Sequence, residues 1–67
     1  MERAYEKHEV VGVSAESFAD ATRKAVEQAG QKYKGMSWFE VKEMRGRIDN
    51  NTVQEFQVTI LIGSRLI

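Results

Sequence analysis

Ser37-Trp38-Phe39-Glu40-Val41-Lys42-Glu43-Met44-Arg45-Gly46-Arg47 is the stretch on which the reading of this chain turns, and it holds the only tryptophan. Taken alternately, one face reads Trp38, Glu40, Lys42, Met44, Gly46 and the other Phe39, Val41, Glu43, Arg45, Arg47. Successive strand side chains point to opposite faces, so a strand with one buried face should keep its apolar residues on one side. Here each face carries an aromatic at one end and charge further along. The pattern predicts a strand packed on both sides at its start and bound to something polar or ionic near its end. The plainer alternative is a long edge strand with a solvated charged half, since charged strand positions commonly serve solubility and edge protection.

Downstream, Asp49-Asn50-Asn51 predicts a turn, because Asp and Asn tolerate left-handed backbone geometry. A third strand is expected from about Thr52 to Leu66. Its even positions Phe56, Val58, Ile60, Ile62 and Leu66 make one continuous apolar face, which leaves Gln57 pointing the other way. Upstream, Ala4 to Val13 ends in the β-branched run Val10-Val11-Gly12-Val13 and reads as the first strand. Gly12 allows another segment to approach closely. Ser14 then offers a helix cap, with Glu16 and Asp20 near the positive helix end. From Ala15 onward Phe18, Ala21, Ala25, Val26 and Ala29 recur at helical spacing. A stripe made mostly of alanine lets a helix lie close to a sheet. Lys32 and Lys34 suit the negative helix end, Gly35 suits a left-handed stop, and Gly30 weakens the last turn.

The order strand, helix, strand, strand limits the topology. A right-handed crossover makes the first two strands parallel, and the third returns from a tight hairpin to lie between them. The expected fold is α+β: a three-stranded antiparallel sheet of order 1-3-2, curled around one helix. The opposite sheet face, with Trp38 and Leu61, has nothing in the chain to cover it and is expected to meet a partner subunit or a ligand.

Sixty-seven residues make a single domain, residues 1–67. A domain this size buries only roughly 60% of the surface its unfolded chain exposes. Reinforcement normally comes from disulfides, a metal or self-association. The absence of cysteine removes disulfides and thiolate zinc sites, and one histidine, His8, removes a multi-histidine site within one chain. Self-association remains, and the apolar ending Leu61-Ile62-Gly63-Ser64-Arg65-Leu66-Ile67 agrees with it. Ten basic and ten acidic side chains cancel, which argues against nucleic acid as a main partner. No apolar run approaches the ~20 residues of a membrane helix, and no signal peptide is visible, so the cytoplasm is the expected location.

Trp38 on the uncovered face can stack a planar ligand or serve as an interface aromatic. Gln57 carries both donors and an acceptor, the pattern that reads the edge of a heterocycle, or is a solvated strand residue. Arg45 and Arg65 can bind phosphate through paired donors, or form surface ion pairs. Glu40, Lys42 and Glu43 lack a nucleophile partner, and the glycines are too scattered for a phosphate loop, so enzyme activity is not expected. His8 is expected to be solvated or intersubunit.

Glu9-Val10-Val11-Gly12-Val13-Ser14, Ser17, Asp20, Trp38-Phe39-Glu40-Val41, Arg45-Gly46, Phe56-Gln57-Val58-Thr59 and Gly63-Ser64-Arg65-Leu66 resemble the dodecins, in register over nearly the whole chain. The resemblance implies a homododecameric hollow particle that stores flavin, FMN or riboflavin, without turnover. It implies that Trp38 stacks on the isoalloxazine ring, with two flavins lying between tryptophans of neighbouring subunits. It further implies that Gln57 bonds the polar ring edge, and that Arg45 and Arg65 attend the phosphate end. Some bacterial members also bind coenzyme A. Here Ser64 stands where many members have phenylalanine, and Gln28 and Gly30 stand where members often carry larger or basic residues. A structural oligomer of the same fold without a flavin role is the rival reading. Which metal ions, if any, bind is not legible in the sequence.

Overall fold

The computed structural model describes residues 3–66, so Ile67 of the apolar ending lies outside the described residues. The elements run β1 (Tyr5–Ser14), α1 (Phe18–Ala29), β2 (Met36–Asp49) and β3 (Thr52–Arg65). Both β1 and β2 pair antiparallel with β3, giving the expected order β1-β3-β2. The hairpin closes at the pair Asp49 and Thr52, with Asn50 at φ 55° and Asn51 at φ 63°. Two central residues with positive φ match the right-handed twist of the flanking strands, and asparagine is among the few residues that adopt this backbone at small cost.

The helix begins later than the sequence predicts. Ser17, not Ser14, is the cap: its Oγ accepts from the Asp20 backbone N–H at 2.9 Å. Ser14 closes the preceding turn instead. Its buried Oγ accepts from the Glu16 backbone N–H at 2.9 Å and donates to Asp20 Oδ2 at 2.6 Å. Glu16 therefore falls before the helix. At the other end α1 stops at Ala29, with Gly30 right-handed at φ −62°. Lys32 and Lys34 lie beyond the last helical turn, and Gly35, at φ +70°, turns the connection into β2 rather than capping the helix. The Gly35 carbonyl accepts from the Arg65 backbone N–H at 3.0 Å, which ties this connection to the end of β3.

The Ser14 hydroxyl, and after it Lys24, hold the Asp20 carboxyl below its ordinary value of 3.8. A carboxylate with a depressed folded pKa adds stability that is fully present above the unfolded value and lost as pH falls through the folded one. Ser14→Ala is expected to flatten the acid limb of a stability-versus-pH curve below about pH 4. It should also cost about 1 kcal/mol at neutral pH, because the Glu16 amide loses its hydrogen bond to the Ser14 hydroxyl. Chemical denaturation across pH 2–7 checks both, and a variant with an unchanged acid limb would contradict the assignment.

The core joins Ala21, Ala25 and Ala29 of the helix to Val58, Ile60 and Ile62 of β3, with Val10, Phe18, Val26, Tyr33 and Met36 packed around it. Phe18 meets Phe56 edge to face at 4.9 Å. The helix lies so close to β1 that a Cβ on Gly12 would collide with the Ala21 carbonyl oxygen. It packs chiefly on β1 and β3. β2 is left beside it, so Phe39, Val41 and Met44 stay about half exposed on the helix side. The paired ends of β2 and β3 run past the last β1 pair at Phe56, and the chain measures 54 × 19 × 14 Å. Its radius of gyration, 13.8 Å, exceeds the ~11 Å of a compact chain of this length.

Candidate functional site

Of the three irregularities in the pairing of β2 with β3, two insert an extra residue in β2 and resolve its mixed pattern; the third, near the hairpin, leaves Gln54 of β3 unpaired. Met36 opposes Ser64 and Trp38 opposes Gly63, so Ser37 is an extra residue between them. Val41 opposes Ile60 and Glu43 opposes Thr59, so Lys42 is a second extra residue. Each bulge moves the following residues to the other sheet face relative to simple alternation. The first separates Met36, in the core, from Trp38 on the face away from the helix. The second brings Arg45, which simple alternation puts opposite Trp38, over to the tryptophan's face. After it Met44 pairs with Val58 on the helix side, while Arg45 pairs with Gln57 and Arg47 with Glu55 on the uncovered side.

Trp38, Gln57, Arg45 and Arg65 therefore all project from one face. Gln57 points away from the helix as its position in β3 predicts. The four are not gathered at one point. Trp38 lies opposite Gly63, and Gln57 is six residues further back along β3, about 20 Å at the usual strand rise. The face carries an aromatic end with Trp38 and Arg65 and a polar end with Gln57 and Arg45. No single planar ring spans both within one chain.

At the aromatic end the indole lies against Gly63, where the Cβ of any other residue would collide with its six-membered ring. Tyr5 meets it edge to face at 4.9 Å and 68°. Trp38 keeps 41% of its surface exposed, so one ring face stays open. Aromatic pairs favour this edge-to-face geometry, which fixes the plate without covering it. Neither Tyr5 nor Gly63 stood out in the sequence. Their signal is the register, which places Tyr5 opposite Arg65 and Gly63 between β1 and β2.

At the polar end Arg45 Nε donates to Gln57 Oε1 at 2.7 Å, and Gln57 Nε2 donates to Glu55 Oε1 at 3.0 Å. Arg47 Nε stands 3.5 Å from the same Glu55 oxygen. Between the two ends, ion pairs Lys7 with Glu40 and Lys42 with Glu9 cross over β3 from β1 to β2. All four side chains are about half exposed, so each pair is worth at most about 1 kcal/mol. Glu40 and Lys42 are thereby paired rather than poised for acid–base chemistry. His8 is on the helix side, stacked on Tyr33 at 3.7 Å and 17% exposed, so it is packed within the chain rather than solvated. A groove of about 540 Å³ between α1 and β2, lined by Ala19, Thr22, Val26 and Phe39, opens on that side too, away from the indole.

Residues 4–66 match the family model for dodecin. A dodecin of Thermus thermophilus is 41% identical over 66 residues, covering 98% of this chain and 96% of that one. Among solved structures, a dodecin from Streptomyces davaonensis superposes with a TM-score of 0.95 at 33% identity, over 100% of this chain and 98% of the other. One from Streptomyces coelicolor gives 0.93 at 38% identity, over 97% and 93%.

Proposed function

Because the chain belongs to the dodecin family of flavin-binding proteins, which are not enzymes, we propose that it sequesters FMN or riboflavin between subunits of a homododecameric hollow particle. The observation that carries this reading is the indole of Trp38, seated on Gly63 with one face open on a sheet surface that none of the described residues covers. A flat, electron-rich ring held this way fits a planar heterocycle, and aromatic stacking of this kind contributes on the order of 1–3 kcal/mol per ring.

The ~20 Å between the aromatic and polar ends requires two copies for one site, the indole from one subunit and the carboxamide from another. Symmetric assembly meets this at no cost in chain length, since every subunit offers both ends. The half-exposed Phe39, Val41 and Met44 and the exposed Ile48 and Val53 supply apolar surface for the contact. Arg65, two residues beyond Gly63 on the same face, stands on the indole's side for the phosphate of FMN. Arg45 stands at the polar end. Gln28 and Gly30 offer no cationic group for coenzyme A, so flavin is the ligand proposed.

The test is purification with determination of particle mass and titration of riboflavin and FMN by fluorescence. A twelve-subunit particle that quenches added flavin is expected, and Trp38→Ala should keep the particle and release the emission. Bound flavin that stays dark in Trp38→Ala would refute the indole as quencher. A wild-type particle that leaves flavin emission untouched would favour the structural oligomer.

A further inference from the structure

The two contacts on the Gln57 side chain have opposite chemistry. Arginine can only donate, so Arg45 Nε must face the carboxamide oxygen, as it does at 2.7 Å. Ionised glutamate can only accept, so Glu55 Oε1 must face the amide nitrogen, as it does at 3.0 Å. A glutamine amide is normally free to exchange its two ends, and only its neighbours decide the orientation. Here a cation on the oxygen and an anion on the nitrogen leave one orientation. Arg47 Nε, 3.5 Å from the same Glu55 oxygen, also pairs with this carboxylate.

We infer that Glu55 and Arg45 are positioning residues that clamp the Gln57 carboxamide, so that it presents one remaining N–H and one remaining lone pair to its ligand. This rests on the flavin reading proposed above and deepens it at the polar end. The matching ligand edge carries a carbonyl oxygen beside a ring N–H, as in an imide or pyrimidine-dione. The clamp also strengthens both free positions. Accepting from a cation makes the amide N–H a better donor, and donating to an anion makes the oxygen a better acceptor. Arg45 thereby acts on ring recognition through Gln57, and phosphate reading falls to Arg65.

The experiment measures binding of three probes: lumichrome, with the ring edge alone; riboflavin, with the ribityl chain; and FMN, with the phosphate. Arg45→Ala and Glu55→Ala are each expected to weaken all three by a similar factor, about tenfold for one charge-assisted hydrogen bond. Glu55→Gln, which keeps an acceptor in place, should restore part of the loss and serves if Glu55→Ala does not assemble. In a Gln57→Ala background neither substitution should have a further effect. An Arg45→Ala protein that loses FMN affinity alone would overturn the clamp and return Arg45 to the phosphate. Unchanged binding in Glu55→Ala, or a full effect persisting without Gln57, would also overturn it. If wild type binds no probe, the flavin reading fails by itself. The clamp is then judged from crystal structures of the ligand-free particles: one ordered Gln57 rotamer bonded to both neighbours in wild type, lost in Glu55→Ala, upholds it, and any other result refutes it.

Discussion

Gly63→Ala is expected to abolish the ordered indole and with it most flavin affinity, although the added atom touches no ligand. Gly63 lies in the middle of the three paired strands, opposite Trp38 on one side and Lys7 on the other. Its backbone is not left-handed, so alanine is allowed there conformationally. What forbids it is a clash: the new Cβ would run into the six-membered ring of the indole, far inside van der Waals contact with its carbons. The ring must lift or swing by more than 1 Å to restore ordinary contact near 3.5–4.0 Å. It then loses both its seat and its edge contact with Tyr5. Stacking requires a flat and fixed plate, and the loss of one stacked ring corresponds to roughly 10- to 100-fold in affinity. Flavin titration of Gly63→Ala should show a loss at least as large as that of Trp38→Ala, with emission no longer quenched. In a Trp38→Ala background the same substitution should have little further effect, which separates a lost seat from a general disturbance of β3. Wild-type affinity in Gly63→Ala would mean that the indole does not lie where the site requires it.

Gly12→Ala is the largest expected effect on folding. Here the obstacle is backbone, the Ala21 carbonyl oxygen, backed by the Ala25 Cβ at 2.8 Å from the new methyl. Neither can rotate away, so the helix must lift off β1. Overpacking a fitted core commonly costs about 1–3 kcal/mol and sometimes more. A domain of this size has in total on the order of 3–10 kcal/mol. We expect about 3 kcal/mol, a fall in Tm of roughly 12–24 °C measured at equal protein concentration. Gly30→Ala is the control. Gly30 is exposed and right-handed, and the nearest atom to its new Cβ would be the flexible end of Met36 at 3.3 Å, with the Glu27 and Val26 carbonyl oxygens in ordinary contact at 3.4 and 3.5 Å. That variant should be neutral or more stable by up to about 1 kcal/mol. Similar Tm values for the two variants would contradict the close approach of helix and strand.

Much of this architecture is local and was legible in the residues. Val58, Ile60 and Ile62 alternate so regularly that their burial, and the opposite direction of Gln57, follow from the two-residue period of a strand. The alanine stripe with Gly12 announced a helix lying close on the sheet, and that is how α1 packs. The helix start is ambiguous in the sequence because Ser14 and Ser17 are equally good caps in isolation. The choice between them depends on Ser14 being drawn into the turn by Glu16 and Asp20. The sequence also identifies Trp38, Gln57, Arg45 and Arg65 as candidates and puts Trp38 on the uncovered face, but it does not give the face of Arg45, nor the parts of Tyr5, Gly63 and Glu55.

The order of elements, the one-sided core and the type of candidate side chain were thus determined by the sequence alone, because propensity and period are properties of neighbours along one strand or helix. Only the tertiary structure decided that Ser37 and Lys42 are extra residues and that Trp38 and Arg45 share a face. Register is a relation between two strands. One unpaired residue reverses every side chain after it, while leaving the composition of the stretch unchanged.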